Sequence, residues 1–366
     1  MHPTRLGFAQ FTKVRRALVG TALVVGVCAG AMSVSSTAGA QSLAGKPVSL
    51  IVGFAPGGSN DIAARIVAPY LSEVLGTTVV VENKTGASGM LAGAYVAKAT
   101  PDGHTLVLSS LSPVIISPQT LKEVPFYTPT DLAAINIVGF TPEAIAIGPT
   151  LPNVKTLGDL IALSKERQIT LSSSGTGGLP HLTIELLIQA TNGKITHVPY
   201  KGGGPAAIDT VAGHVDGIVM DLPPLLGLIQ DGRLRALALT SDKRVEFLPN
   251  VPTAQENLPN FAVVNWLGIF APAKTPKPVI DEINAAIIKV VARPDVQQKL
   301  KNVAILPSTM ESPAAFQKFV VAEYKRWGDV LKQAKIELES LLSQRLEQVL
   351  LNRMIGRDSG LDRSSE

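Results

Sequence analysis

The chain has 366 residues, 46% of them hydrophobic, 17% charged and 5% aromatic, with 32 glycines, 26 prolines and a single cysteine. This is a globular composition, too aliphatic and too lightly charged for disorder, and the length suits two domains better than one small one. The net charge of +4 traces to residues 1–40, which hold Arg5, Lys13, Arg15 and Arg16 and no acid, so the remainder balances at 29 basic and 29 acidic side chains and nothing indicates a nucleic-acid partner.

Those first 40 residues read as a secretory signal peptide: a basic stretch, an apolar run from Ala17 to Ala31, and small residues ending at Ala38-Gly39-Ala40. The apolar run has 15 residues, too short to span a bilayer, and no later apolar run is longer. The Arg15-Arg16 pair leaves both the general secretory and the twin-arginine export routes open. Cys28 follows Val27, where lipid attachment wants a small residue, so the expected mature protein is unlipidated and has no cysteine for disulfides, metal thiolates or nucleophilic catalysis.

From Lys46 onward, short β-branched runs alternate with amphipathic runs, the pattern of βαβ units. Val48 to Phe54 predicts a buried strand, then the turn Pro56-Gly57-Gly58-Ser59 and a helix to Leu75. Val79 to Asn83 leads through Thr85-Gly86-Ala87-Ser88-Gly89 into a helix ending at Lys98, and His104 to Ser109 is a third strand. A second set follows: Ile169 to Ser173 before Gly175-Thr176-Gly177-Gly178 and a helix around His181 to Ala190, then Ile195 to Val198 before Tyr200-Lys201-Gly202-Gly203-Gly204-Pro205 and a helix through Ala212. Gly217 to Leu222 and Leu234 to Thr240 complete it.

Pro142, Pro149 and Pro152 are expected to break the segment from Phe140 to Leu157, and Pro249, Pro252 and Pro259 mark a second crossing. Two crossings between similar halves predict a two-lobed α/β fold with a two-crossing hinge and a mostly parallel sheet in each lobe. Residues 41–143 and 255–337 form the first lobe, 144–254 the second, and 338–366 a helical extension with a polar tail. The chain returns to the first lobe near Trp266, expected in the core, and closes with helices from Pro278 to Arg293 and Pro313 to Lys335. The cleft between lobes is the default ligand site.

The strand-glycine-helix junctions share one chemistry: unpaired N–H groups at the positive end of a helix dipole, suited to an anion. Ser59, Ser174 and Thr176 add uncharged hydroxyls, and Asp61 is expected to cap its own helix. Gly175 to Pro180 fails the dinucleotide fingerprint, and neither a GxxxxGK[ST] loop nor a GxSxG elbow occurs. The four mature histidines, His104, His181, His197 and His214, are scattered without metal-site spacing. No cofactor, metal or catalytic set is indicated.

Several segments together resemble the Bug-type, TctC-like receptors of tripartite tricarboxylate transporters. They are Phe54 to Asp61, Val79 to Gly89, Ala99 to Leu106, Ser173 to Leu182, His197 to Ala206 and Leu234 to Ala238, in order within residues 43–337. The resemblance implies a periplasmic-binding-protein (type II, Venus flytrap) fold that captures a small carboxylate and presents it to membrane permease subunits, as a periplasmic monomer that performs no chemistry. Carried over by position, the first lobe would offer Ala55, Pro56, Gly57, Gly58, Ser59, Asp61, Ser109 and Ser110. The second would offer Ser174, Gly175, Thr176, His181, Tyr200, Lys201, Gly202, Pro205 and Asp221. The ligand would be a di- or tricarboxylate, an amino acid or an aromatic acid.

This chain departs from the family pattern at Ser109-Ser110-Leu111-Ser112-Pro113, where Gly-Thr is usual, and in the extension beyond Glu337. Lys201 could pair with a second ligand carboxylate or be solvated, Asp221 could meet a ligand hydroxyl or ammonium or cap a loop, and Tyr200 could wall the cleft or simply pack. A ligand-sensing component of a signalling system and an exported α/β enzyme are the alternative functions.

Overall fold

The computed structural model describes residue 43, residues 45–120 and residues 124–334. The expected signal peptide and the 338–366 extension lie outside the described residues. Among the described residues no helix is long and apolar enough to cross a membrane.

The first half builds on β1 (Val48–Val52), whose VSLIV side chains are almost all buried, as expected of a strand covered on both faces. It pairs in parallel with β2 (Val79–Asn83) on one side and β3 (Thr105–Ser110) on the other. Helices α1 (Ser59–Leu75) and α2 (Met90–Ala97) connect them. Helix α1 ends on Gly76 at φ 65°, the left-handed turn that glycine adopts without steric cost. The second half repeats the scheme: β5 (Ile169–Ser173) pairs in parallel with β6 (Ile195–Pro199) and β7 (Gly217–Asp221). Its helices are α3 (Leu157–Glu166), α4 (Leu179–Thr191), α5 (Gly203–Ala212) and α6 (Leu226–Gln230). A capping box between Thr156 and Asp159 starts α3.

Two long antiparallel strands join the halves, and here the structure corrects the sequence reading. Strand β4 (Leu132–Ile147) runs unbroken through Pro142. Up to Pro142 it pairs with β9 (Val264–Pro272); from Glu143 it pairs with β7, and from Ala144 also with β8 (Arg235–Leu239). Pro142 is tolerated because it stands where β4 changes partners: its missing N–H interrupts no shared ladder, while its carbonyl still accepts from Leu222 N at 3.0 Å. The strand order is β2-β1-β3-β9-β4-β7-β5-β6, with β8 and the short β10 (Leu306–Pro307) also on β4. Each half is therefore parallel at its outer strands and antiparallel toward β4, less uniformly parallel than the alternating pattern implies.

Helices α7 (Lys277–Val291), α8 (Pro294–Lys301) and α9 (Pro313–Ala334) close the first half. Trp266 of β9 is 1% exposed and packs edge-on against Phe316 and Phe319 of α9, which puts it in the core. The result is a two-lobed α/β fold in which the C-terminal ends of β1, β2, β5 and β6 carry their glycine-containing loops toward one another.

Candidate functional site

The helices that follow β1, β5 and β6 start at Gly58, Gly178 and Gly202, whose lack of a side chain leaves no cap from the chain itself; only α4 is capped from elsewhere, by Ser112 Oγ on Leu179 N. Their beginnings meet around a small cavity of about 10 Å3, the space one water molecule needs. Its wall takes Gly58, Ser59 and Asn60 from α1, Pro180 from α4 and Gly203 from α5, with Ser110, Ser112, Ser174 and Asp221 between them. No lysine or arginine lines it. The Asn60 amide nitrogen is buried there without a hydrogen-bond partner. A Cβ on Gly203 would come within 3.1 Å of Met220, so only glycine admits this approach without displacing the neighbour.

A roomier cavity of about 430 Å3 shares Phe54 and Ser174 with the first and is lined by Thr85 to Gly89, Gly175, Thr176, Pro199, Tyr200 and Lys201. Ser88 stands in the left-handed region at φ 50°, and its hydroxyl donates across the space to the Thr176 carbonyl. Further ties join the same loops: Ser117 Oγ donates to Gly177 O at 2.9 Å, and Leu179 N donates to Ser112 Oγ at 2.8 Å. A still larger groove, about 560 Å3, lies at the far end of β4 beside Arg233 and Arg235. No helix start converges on it, so volume alone does not mark the site.

Behind the small cavity sit two carboxyls that face each other across β4 and β7, Glu143 opposite Asp221. Asn265 of β9 donates its amide to both Asp221 oxygens at 3.0 Å, while its own oxygen accepts from Leu111 N at 3.1 Å. Burial pushes Asp221 up to about 6, opposed by hydrogen bonding from Asn265. Burial, and then the Asp221 charge, push Glu143 well above its ordinary value. On the other side of the loop, His181 and His197 stack with ring centroids 3.8 Å apart. His181 Nδ1 accepts from Gly177 N at 3.1 Å, and His197 Nε2 meets Ser173 Oγ at 2.6 Å. Burial, then His181, pushes His197 down to about 3.

Of the residues expected from sequence, Gly58, Ser59, Ser110, Ser174, Gly175, Thr176, Tyr200, Lys201 and Asp221 line one cavity or both. Ala55, Pro56, Gly57, Ser109, Gly202 and Pro205 line neither; Ala55 instead packs against Gly202 across the loops. Asp61 is not a cap of α1. Its carboxylate accepts from Gly57 N, Arg65 and the Asn83 amide, bracing the β1 loop against β2. His181 braces Gly177 in the same way, and the Tyr200 hydroxyl donates to Asp209 at 2.8 Å. Sequence reasoning missed Phe54, Asn60, Ser88, Ser112, Met220, Asn265 and Glu143. Only the Thr85 to Gly89 loop had a local signal, its glycines between strand and helix.

Two lobes and a cleft where helix N-termini and hydroxyls converge are the architecture of a solute-binding protein. The family model for the tripartite tricarboxylate transporter family receptor, TctC, matches residues 63–336, and the chain belongs to this family of Bug-type receptors. It is 32% identical to protein BugT of Bordetella pertussis over 320 residues, 86% of this chain and 98% of BugT. Among solved structures, Rpa4515 of R. palustris with adipate superposes with a TM-score of 0.77 at 30% identity, covering 81% of this chain and 98% of that one. MatC of Rhodopseudomonas palustris with bound malate gives 0.73 at 29% identity, covering 78% and 98%.

Proposed function

We propose that this receptor captures a small carboxylate between residues 41–143 plus 255–337 on one side and residues 144–254 on the other, and delivers it as a periplasmic monomer to membrane permease subunits. The observation that carries this reading is the meeting of three glycine-led helix starts, those of α1 and α5 without any side-chain cap, at a cavity without a cation. Oriented N–H groups bind a carboxylate without burying a lysine or arginine that would stand uncompensated before ligand arrives. Gly58, Ser59, Asn60, Ser110 and Ser174 would hold one carboxylate once the small cavity widens beyond its one-water volume, and the larger cavity by Tyr200 and Lys201 would take the rest of the ligand. Adipate and malate in the related structures are acids of suitable size.

A thermal-shift screen against mono-, di- and tricarboxylates, amino acids and aromatic acids tests the reading. A ligand at about 100 times its Kd adds roughly 2.7 kcal/mol, seen as a shift of a few degrees. A shift confined to one carboxylate class supports capture and names the class. No shift with any acid, after unfolding and refolding to strip bound ligand, would count against it.

A further inference from the structure

We propose that Glu143 is a neutral carboxylic acid at physiological pH, a proton held beneath the ligand cavity so that only one of the two facing carboxyls there is charged. This goes beyond ligand capture, and its role, though not its existence, rests on that reading. Glu143 and Asp221 are direct partners in the β4–β7 ladder, so their side chains leave the same face of the sheet a few ångströms apart. Glu143 is fully buried and Asp221 is 5% exposed. One Glu143 oxygen accepts from the Thr183 hydroxyl at 2.5 Å; the other is buried with no hydrogen-bond partner. An ionised carboxylate would leave a full charge half-solvated by one hydroxyl beside a second carboxylate, an arrangement that costs far more than protonation.

Among the described residues no cation offsets the pair. On α4, His181 bonds Gly177 N and Glu185, and on β6 His197 bonds Ser173. On α1, Asp61 is tied to Arg65. On α5, Asp209 accepts from Tyr200, and on β8 Arg235 donates to the carbonyls of Pro152 and Val154. Strand β9 contributes only the Asn265 amide, spent on Asp221. The neutral acid thus halves the negative charge at the base of a site built for anions, and Glu143 acts as a positioning residue through Asp221.

Infrared spectroscopy of the purified protein tests this without any ligand, so its failure is separate from failure of the receptor reading. At pH 7 exposed carboxyls are ionised, so a protonated-carboxyl band remaining there reports the pair. The expected result is one such band, lost in Glu143→Gln, and in Asp221→Asn still present at pH 7 but lost on raising the pH at a lower midpoint than in wild type. A wild-type spectrum without the band, or a band unchanged in Glu143→Gln, overturns the proposal; if a variant fails to fold, the wild-type spectrum still decides. Stability against pH gives an independent readout. The folded protein keeps a proton that the unfolded chain loses above about 4.5, so wild-type stability falls as pH rises from there. Glu143→Gln, isosteric with the neutral acid, should fold and have a Tm that gains on wild type with rising pH; a constant difference between the two from pH 5 to 8 would overturn the assignment.

Discussion

Asn265 shows how much of this site depends on side chains that line neither cavity. It satisfies both oxygens of Asp221 and orders Leu111 at the end of β3, so Asn265→Ala should cost about 1–3 kcal/mol, read as a lower denaturation midpoint at unchanged slope. Ser88→Ala removes one tie between loops of the two lobes and should weaken ligand binding roughly threefold to tenfold by calorimetry, with little change in the stability of the ligand-free protein. His197 gives a pH prediction. Its folded value of about 3 lies below the usual 6.5, so the unfolded chain takes up the proton first, and stability falls as pH drops below 6.5. Its imidazole NMR signals should stay in the neutral position from pH 8 to 5; a midpoint inside that range would show that the ring is not buried as described. At this scale the sequence exposed Ser59, Ser174 and Thr176, because a hydroxyl beside a strand-glycine-helix junction is a local signal. It did not expose Glu143 or Asn265, whose partner Asp221 lies 78 and 44 residues away across strands, a distance no local pattern can span.

The parallel βαβ elements were legible to within a few residues, since their hydrophobic runs, turns and helix starts all agree with one another. Strand β4 was not, because Pro142 is a breaker by local rules, and only its position at the change of partners makes it harmless. The outcome at Asp61 has a related cause: the acid stands in the first turn, as a helix-start reading wants, but Arg65 and Asn83 recruit it to brace the loop. The start of α3 is different, because its capping box is complete and solvent-exposed. Thr156→Ala should therefore cost about 1 kcal/mol without altering ligand affinity, whereas an affinity loss would mean that this helix is coupled to the cleft.

At the scale of the molecule, capture requires that ligand favour the closed arrangement over a more open one by differential contacts with both sides. Small-angle scattering should show a smaller radius of gyration at saturating ligand than in ligand stripped by refolding; equal radii would mean that the lobes do not move on binding. The two halves are also not separable parts. Strand β4 is hydrogen-bonded to β9 along its first stretch and to β7 and β8 along its second, so a cut between Pro142 and Glu143 would leave each product a strand short. The fragment 143–366 would keep β7 and β8 on their stretch of β4 but would present β9 with both flanks naked, having lost β3 and residues 132–142; its VNWLGIFAP sequence carries no charge, which makes it a template for self-association. Complementary fragments produced together could repair that defect only by finding each other, which makes this backbone a natural splitting point for a reassembly reporter.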